Sequence, residues 1–294
     1  MKLRDYSKGL IEGLQVGGIY EGPEAESIVR RLAVDVLELK DYQFYSEQNK
    51  ELTGPQIEEL DRDGEKLLSG MPLQYVLGYE SFCNHRFRVD PSVLIPRPET
   101  EELVKMTVET VSEGDSCGDC CDIRNVLDAC TGSGCIAWSV AAAIPEVQVY
   151  GFDVSGEALN VACRQKVPFK GPRPVFLLAD LMDDPPAGLP RMDVIVCNPP
   201  YVCESEKAQM RRNVLDHEPE MALFVPDSDP LGFYRGLFHW ADILLEPAGK
   251  VVCEINERFG EKCAQLAKSF GYHNVNLIRD INGKDRYISA DRRH

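Results

Sequence analysis

Two clusters in this 294-residue chain hold residue types that could bind and orient a small ligand. The first is Asn198-Pro199-Pro200-Tyr201, directly after the apolar run Val194 to Cys197. Proline has no N–H to give to a ladder, so a strand cannot continue through two of them. The carbonyls of Asn198 and Pro199 are therefore left free at the carboxyl end of a strand. Asn198 adds a side-chain carbonyl and an NH₂ group. Tyr201 adds a flat ring with a polar tip. Such a set of acceptors beside an aromatic surface suits a planar group with N–H donors, a carboxamide or an exocyclic amine. Asn-Pro and Pro-Pro are also common turn dipeptides, so the motif alone leaves a plain strand-ending turn open.

The second cluster is Asp128-Ala-Cys-Thr-Gly-Ser-Gly134. Glycines here let backbone approach a ligand, and the helix that follows offers N–H groups to a carboxylate or phosphate. Asp153 closes the next apolar run, nineteen residues past Gly134, where a carboxylate can accept from both hydroxyls of a ribose. Gly132, Gly134 and Ala137 also satisfy the dinucleotide pattern G-x-G-x-x-G/A, so this loop alone admits a nicotinamide dehydrogenase. The Asn198 cluster decides against hydride transfer, which has no evident use for it. Asn-Pro-Pro-Tyr after a hydrophobic strand resembles the signature of methyltransferases acting on planar nitrogen. S-adenosylmethionine would offer a ribose to Asp153 and a methionine end to the loop. Asp180 could hydrogen-bond the adenine amino group or simply cap a turn.

The elements that must position these clusters follow from periodicity. Residues 1 to about 75 read as helices, with Ile28, Val29, Leu32, Val36 and Leu39 at helical spacing. Thr53 and Gln56 stand at capping-box spacing, with Pro55 in a first helical turn. Glu80 to Asp90 alternates as a hairpin or two short strands, in which His85 is an ordinary strand or turn residue. Pro98 opens a helix to about Val111. The acids Glu99, Glu101 and Glu102 suit its positive end, whereas Arg97 and Thr100 have no structural explanation. From Asn125 strand and helix alternate, and the chain closes on two strands joined at the turn signal Asn282-Gly283. That order predicts an α/β doubly wound parallel sheet with an antiparallel strand at its end.

Bulk properties narrow the function classes. Hydrophobic residues are 44% and charged residues 27%, an ordinary globular composition. A net charge of −16 argues against a duplex-DNA binder, which needs a basic face. Eleven cysteines, several in apolar runs, fit a reducing cytosol better than a disulfide scaffold. Cys117, Cys120 and Cys121 invite a metal reading, but no second ligand pair lies nearby, and no metal is expected. Met1 to Tyr20 lacks a signal-peptide pattern, and no apolar run is long enough to span a bilayer. A cytoplasmic protein without membrane contact is expected.

Taken together, the motifs resemble the HemK/PrmC family, the peptide chain release factor glutamine N5-methyltransferases. The resemblance runs from about residue 24 to residue 290. It rests on Pro72-Leu-Gln-Tyr-Val-Leu-Gly78, Val93-Leu-Ile-Pro-Arg-Pro-Glu-Thr-Glu101, the glycine loop, Asn198-Pro-Pro-Tyr201, His217-Glu-Pro219 and Arg279-Asp-Ile-Asn-Gly-Lys-Asp-Arg286. It implies a helical N-terminal domain for release-factor docking (1–76), a β-hairpin linker (77–92) and a seven-stranded Rossmann-like class I methyltransferase domain (93–294). It implies S-adenosyl-L-methionine as cofactor, bound by Cys130, Thr131, Gly132, Ser133, Gly134, Asp153, Asp180, Leu181 and Asn198. It implies that Asn198, Pro199, Pro200 and Tyr201 hold the glutamine of a Gly-Gly-Gln motif in a release factor. The family usually has glycine at Cys130 and often an aromatic residue at Leu181, so loop approach and adenine stacking differ here. The stretch Val225 to Pro230 is also less glycine-rich than is usual. An amino-methyltransferase of DNA or RNA shares the Asn198 cluster but should carry a basic groove. An idle S-adenosylmethionine-binding module would have no use for it.

Overall fold

The computed structural model describes residues 1–18, 20–113 and 124–292. The cysteines Cys117, Cys120 and Cys121 lie outside the described residues. Two compact units are present: Met1–Tyr79 with Gln209–Glu218, and Glu80–Ala208 with Pro219–His294.

The first unit is helical: α1 (Leu3–Val16), α2 (Gly22–Val36), α3 (Asp41–Ser46), α4 (Gly54–Leu68) and α5 (Leu73–Leu77). Helix α2 buries Ala25, Val29, Leu32 and Ala33, one stripe at helical spacing. Helix α4 starts at the expected capping box, where the Thr53 N–H donates to Gln56 Oε1 at 3.0 Å. Leu3, Leu14, Leu32 and Leu60 are fully buried at the centre of this unit.

The second unit begins with a hairpin, β1 (Tyr79–Phe82) and β2 (His85–Arg88), and continues with α6 (Glu101–Glu113). Then come β3 (Arg124–Ala129), α7 (Cys135–Ala143), β4 (Val147–Asp153), α8 (Gly156–Cys163), β5 (Val175–Leu178), β6 (Met192–Cys197) and β7 (Val202–Cys203). The short α9 (Arg212–Leu215) falls in the segment that clusters with the first unit. The chain ends with β8 (Phe224–Val225), α10 (Gly232–Leu244), β9 (Leu245–Glu254), α11 (Gly260–Ser269), β10 (His273–Arg279) and β11 (Asp285–Asp291).

Seven strands form one sheet in the order β10-β11-β9-β6-β3-β4-β5. β3 pairs in parallel with β4 and β6, and β6 with β9, whereas β11 runs antiparallel to both β9 and β10. This is the predicted doubly wound sheet, and its reversing strand is the hairpin at Asn282-Gly283. The central residues of β3, β6 and β9 (Val126 and Leu127, Val194 to Cys197, Val251 to Cys253) are apolar in succession because both faces are covered. One face packs on Tyr234, Phe238 and Trp240 of α10, and the other on α6, α7 and the hairpin residues Phe82 and Phe87. Those two phenylalanines are fully buried, so the hairpin belongs to the core of the second unit rather than forming a bare linker. A second difference from the expected 1–76 and 93–294 division is Gln209–Glu218, a stretch too short and polar to show a period of its own. Strand order reverses at β3, which has β4 on one side and β6 on the other. A crevice therefore opens at the carboxyl ends of these strands, where ligands bind in open α/β sheets.

Candidate active site

The glycine loop leaves the end of β3 through three left-handed residues, Cys130 (φ 59°), Gly132 (φ 53°) and Gly134 (φ 78°). Its anchor is Asp153, at the end of β4. Asp153 Oδ2 accepts the Gly132 N–H at 2.8 Å, and Oδ1 accepts the Ser155 N–H at 2.9 Å. Burial raises the Asp153 carboxyl above its ordinary range, opposed by these backbone donors. Beneath the loop lies Asp128, wholly buried. Its Oδ2 accepts from Thr131 Oγ1 at 2.6 Å and from the Ala137 N–H at 3.0 Å. Its Oδ1 takes no hydrogen bond among the described residues. Burial pushes this carboxyl up to about 7, against the two donors and with help from the charge of Asp153. Asp128 opens the glycine cluster in the sequence without a role of its own there, although a carboxylate inside an apolar strand, just before the glycines, was the available signal.

A cavity of about 440 Å³ opens above this loop, within the range of small-molecule sites. Its wall includes Cys130, Thr131, Gly132, Ser133, Asp153, Asp180, Leu181, Asn198 and Pro200. Four separate strand ends thus bring the two sequence clusters into one space. Asp180 faces the cavity while its Oδ1 accepts the Met182 N–H at 2.9 Å, so the turn-capping reading also describes it. Gly134 is not on the wall. A Cβ there would stand 3.0–3.2 Å from Ala162, Trp138 and Phe176, so glycine at this position serves helix packing rather than ligand approach.

The Asn198 cluster sits where β6 ends. Asn198 is half-buried, and its Nδ2 donates to Thr100 Oγ1 at 3.2 Å. Thr100 Oγ1 in turn donates to Glu254 Oε2 at 2.9 Å. The other oxygen, Glu254 Oε1, accepts from Tyr201 Oη at 2.8 Å. Glu254 is 2% exposed, and burial raises its carboxyl despite the Tyr201 and Thr100 hydrogen bonds and the charge of Arg286. The Tyr201 carbonyl accepts from Asn256 Nδ2 at 3.0 Å. Pro199 and Tyr201 are not among the residues of the cavity wall. The Tyr201 ring packs against the core and its hydroxyl is committed to Glu254, in place of the expected face toward a substrate. Thr100 and Arg97, which had no structural explanation in the sequence, both line the cavity. Glu254 was missed: a charged residue closing an apolar strand at its carboxyl end was the only signal. Short strands β7 and β8 were missed as well. They pair in parallel and hold Val202 beside Phe224, which fixes the exit of the chain from Tyr201.

Profiles of two known domains match the chain: the PrmC N-terminal domain over residues 18–78 and the methyltransferase small domain over residues 117–220. A release factor glutamine methyltransferase of Bacteroides thetaiotaomicron is 39% identical over 93% of this chain and 95% of that one. The chain belongs to the release factor glutamine methyltransferase family. Another member, from Flavobacterium psychrophilum, is 32% identical over 99% of both chains. A solved release-factor-specific protein-(glutamine-N5) methyltransferase from Alicyclobacillus acidocaldarius shares 27% identity, covers 71% of this chain and all of its own, and gives a TM-score of 0.42.

The methyl donor of this methyltransferase is S-adenosylmethionine, and the wall fits it. Above Gly132 nothing stands within 4 Å of a Cβ position, so the loop backbone is open to a ligand. Asp153 keeps further acceptor capacity beyond the two backbone donors. Phe233 and Trp240 add aromatic surface to the same wall, to which Leu181 contributes an aliphatic side chain. Among the described residues, no three His, Cys, Asp or Glu side chains are grouped to hold a metal, and no helix is long and apolar enough to cross a membrane.

Proposed function

We propose that this chain transfers a methyl group to the side-chain amide nitrogen (N5) of the glutamine in the Gly-Gly-Gln motif of peptide chain release factors. The observation that carries this reading is the Asn198 amide. Its Nδ2 is committed to Thr100, while its Oδ1 takes no hydrogen bond among the described residues and the side chain lies on the cavity wall. A site that offers an acceptor calls for an N–H donor, and family membership narrows the donor to a glutamine carboxamide.

An amide nitrogen is a weak nucleophile because its lone pair is spread into the carbonyl. The Asn198 Oδ1 on the wall and the adjoining Pro199 carbonyl, which the substrate amide would have to reach past the wall, would each accept one amide N–H, fixing the group in line for displacement. The same oxygens stabilise positive charge as it grows on nitrogen. S-adenosylmethionine supplies an electrophilic methyl on a sulfonium. The N–H acidity rises once the new bond forms, so the proton can leave to water without a strong base. Cys130 to Ser133 would hold the methionine end, Asp153 the ribose, and Asp180 with Leu181 the adenine. Pro200 would complete the substrate side, and Tyr201 would position it through Glu254. Helical residues 1–76 would dock the release factor, and the protein would work in the cytoplasm, where that substrate is. The net charge of −16 speaks against the nucleic-acid alternative.

The purified protein would be incubated with methyl-labelled S-adenosylmethionine and a bacterial release factor, the same factor with its Gly-Gly-Gln glutamine changed to alanine, or duplex DNA. Label on the intact factor alone is expected. Label on DNA, or equal label on the alanine factor, would overturn the substrate assignment.

A further inference from the structure

We infer that Glu254, acting through the Thr100 hydroxyl, is the positioning residue that fixes Asn198 as a hydrogen-bond acceptor toward the substrate. The inference rests on the glutamine-amide reading of the site.

The reasoning is an account of protons. An ionised carboxylate only accepts hydrogen bonds. Glu254 has one donor on each oxygen, Thr100 at 2.9 Å and Tyr201 at 2.8 Å. A threonine hydroxyl has a single proton, and Thr100 spends it on Glu254. Toward Asn198 it can therefore only accept, which draws the Asn198 NH₂ group to it at 3.2 Å. The carboxamide of Asn198 has two ends. With the nitrogen held by Thr100, the oxygen is the end left for the cavity. Glu254 does not line the cavity and Thr100 does, so the buried carboxylate acts at one remove. A direction is thus imposed on Asn198 by a residue that never meets the substrate.

The chain of bonds also says what happens when Glu254 loses its charge. In Glu254→Gln, one of the two partners must face an NH₂ group. If that partner is Tyr201, its hydroxyl proton is stranded in the core, since no other acceptor is bonded to it. If it is Thr100, both hydroxyl partners stay paired, and only the second N–H of the Gln amide is left over, as it is in the first arrangement too. Thr100 accepts from Gln at 254, turns its own proton to Asn198, and the Asn198 carboxamide flips. Buried donors are costly to leave unmade, so the second arrangement wins. The flipped amide then points its NH₂ group at the N–H donors of the substrate. Glu254→Gln should consequently fold well and methylate badly.

The experiment compares wild type, Glu254→Gln, Thr100→Val and Thr100→Ser on a release factor, with cofactor affinity measured separately by calorimetry. Labelling of the factor by wild type is read first. If wild type gives none, the glutamine-amide reading fails before any variant is considered. Given wild-type activity, Glu254→Gln is expected to lower kcat at least 30-fold. The KM for the release factor and the cofactor Kd should stay close to wild type, and the thermal midpoint should fall by only a few degrees for the one amide N–H left unpaired. Thr100→Val should lower kcat in the same way, and Thr100→Ser, which keeps the hydroxyl, should retain it within threefold. A Glu254→Gln enzyme within threefold of wild-type kcat overturns the inference. So does a Thr100→Ser enzyme as poor as a folded Thr100→Val enzyme. Should Thr100→Val fail to fold, Glu254→Gln and Thr100→Ser still decide.

Discussion

The backbone N–H of Gly132 lies 2.8 Å from Oδ2 of Asp153, so the residue that ends one strand sets the shape of the loop that ends its neighbour. Asp153 also takes the Ser155 N–H on its other oxygen, at 2.9 Å. Both oxygens are thus used to build the cavity before any ligand arrives. The same carboxylate faces that cavity, where the ribose of the methyl donor is proposed to sit.

Asp153→Asn tests this double use. Asparagine is the same size but carries only one acceptor, so its NH₂ group must face a backbone N–H of Gly132 or Ser155. One loop anchor is lost whichever way the amide turns. The expected result is S-adenosylmethionine binding weakened by about 10- to 100-fold, or ~1.4–2.8 kcal/mol. Calorimetric titration of the cofactor checks it. An unchanged Kd would show that Asp153 neither shapes the loop nor touches the ligand.

Asp128 makes a prediction about pH. Its carboxyl is raised from 3.8 in the unfolded chain to about 7 in the fold. The folded state therefore binds this proton more tightly. The stability it contributes is complete below pH 3.8 and is lost as pH rises through about 7. Asp128→Asn can keep both accepted hydrogen bonds, from Thr131 and Ala137, and has no charge to bury. Urea unfolding from pH 5 to pH 8 should show wild type losing roughly 2–3 kcal/mol relative to the variant. Parallel pH dependences would mean that Asp128 titrates normally in the fold.

These two aspartates show what a sequence can and cannot disclose. The place of Asp153 at a strand end beside the glycine loop was legible because it closes an apolar run at a fixed distance from the glycines, and one strand with one loop suffices to locate it. Asn198 was legible for the same reason. The seven-stranded sheet followed from alternating periods that local residues determine. Glu254 and Thr100 meet across 154 positions of sequence, and no local pattern encodes that meeting. Thr100 at least stood out as a polar residue without a capping role. The role of Gly134 was misjudged because a glycine that opens space for a ligand and one that opens space for Trp138 look alike until neighbours are known. Tyr201 was given a substrate face because its hydroxyl partner lies on a different strand.

Gly236 sets two effects against each other. In the middle of α10, alanine is the better helix former by about 1 kcal/mol. A Cβ at this position would lie 2.4 Å from the Leu181 carbonyl oxygen, a backbone atom that cannot rotate away. Relieving such an overlap typically costs about 1–3 kcal/mol. The clash should win, and it should push Leu181 toward the cavity that it lines. Gly236→Ala is therefore expected to lower the thermal midpoint and to weaken cofactor binding together. A more stable variant with normal cofactor affinity would show that α10 shifts freely against this segment.

Asn198→Ala separates the chemical step from cofactor binding. The variant removes the acceptor proposed for one amide N–H and leaves the glycine loop and Asp153 untouched. Deleting one preorganised hydrogen-bonding group aimed at developing charge typically lowers kcat by about 100- to 1,000-fold. That loss is expected here in single-turnover methylation of a release factor, with the cofactor Kd within about threefold of wild type. The nitrogen of Asn198 is lost with the oxygen, so Thr100 gives up a donor at 3.2 Å, a modest effect for a weak, half-buried bond. A thermal midpoint close to wild type would confirm that the loss is not one of folding. Full activity in Asn198→Ala, with normal cofactor binding, would remove Asn198 from the mechanism and with it the acceptor reading of the cavity.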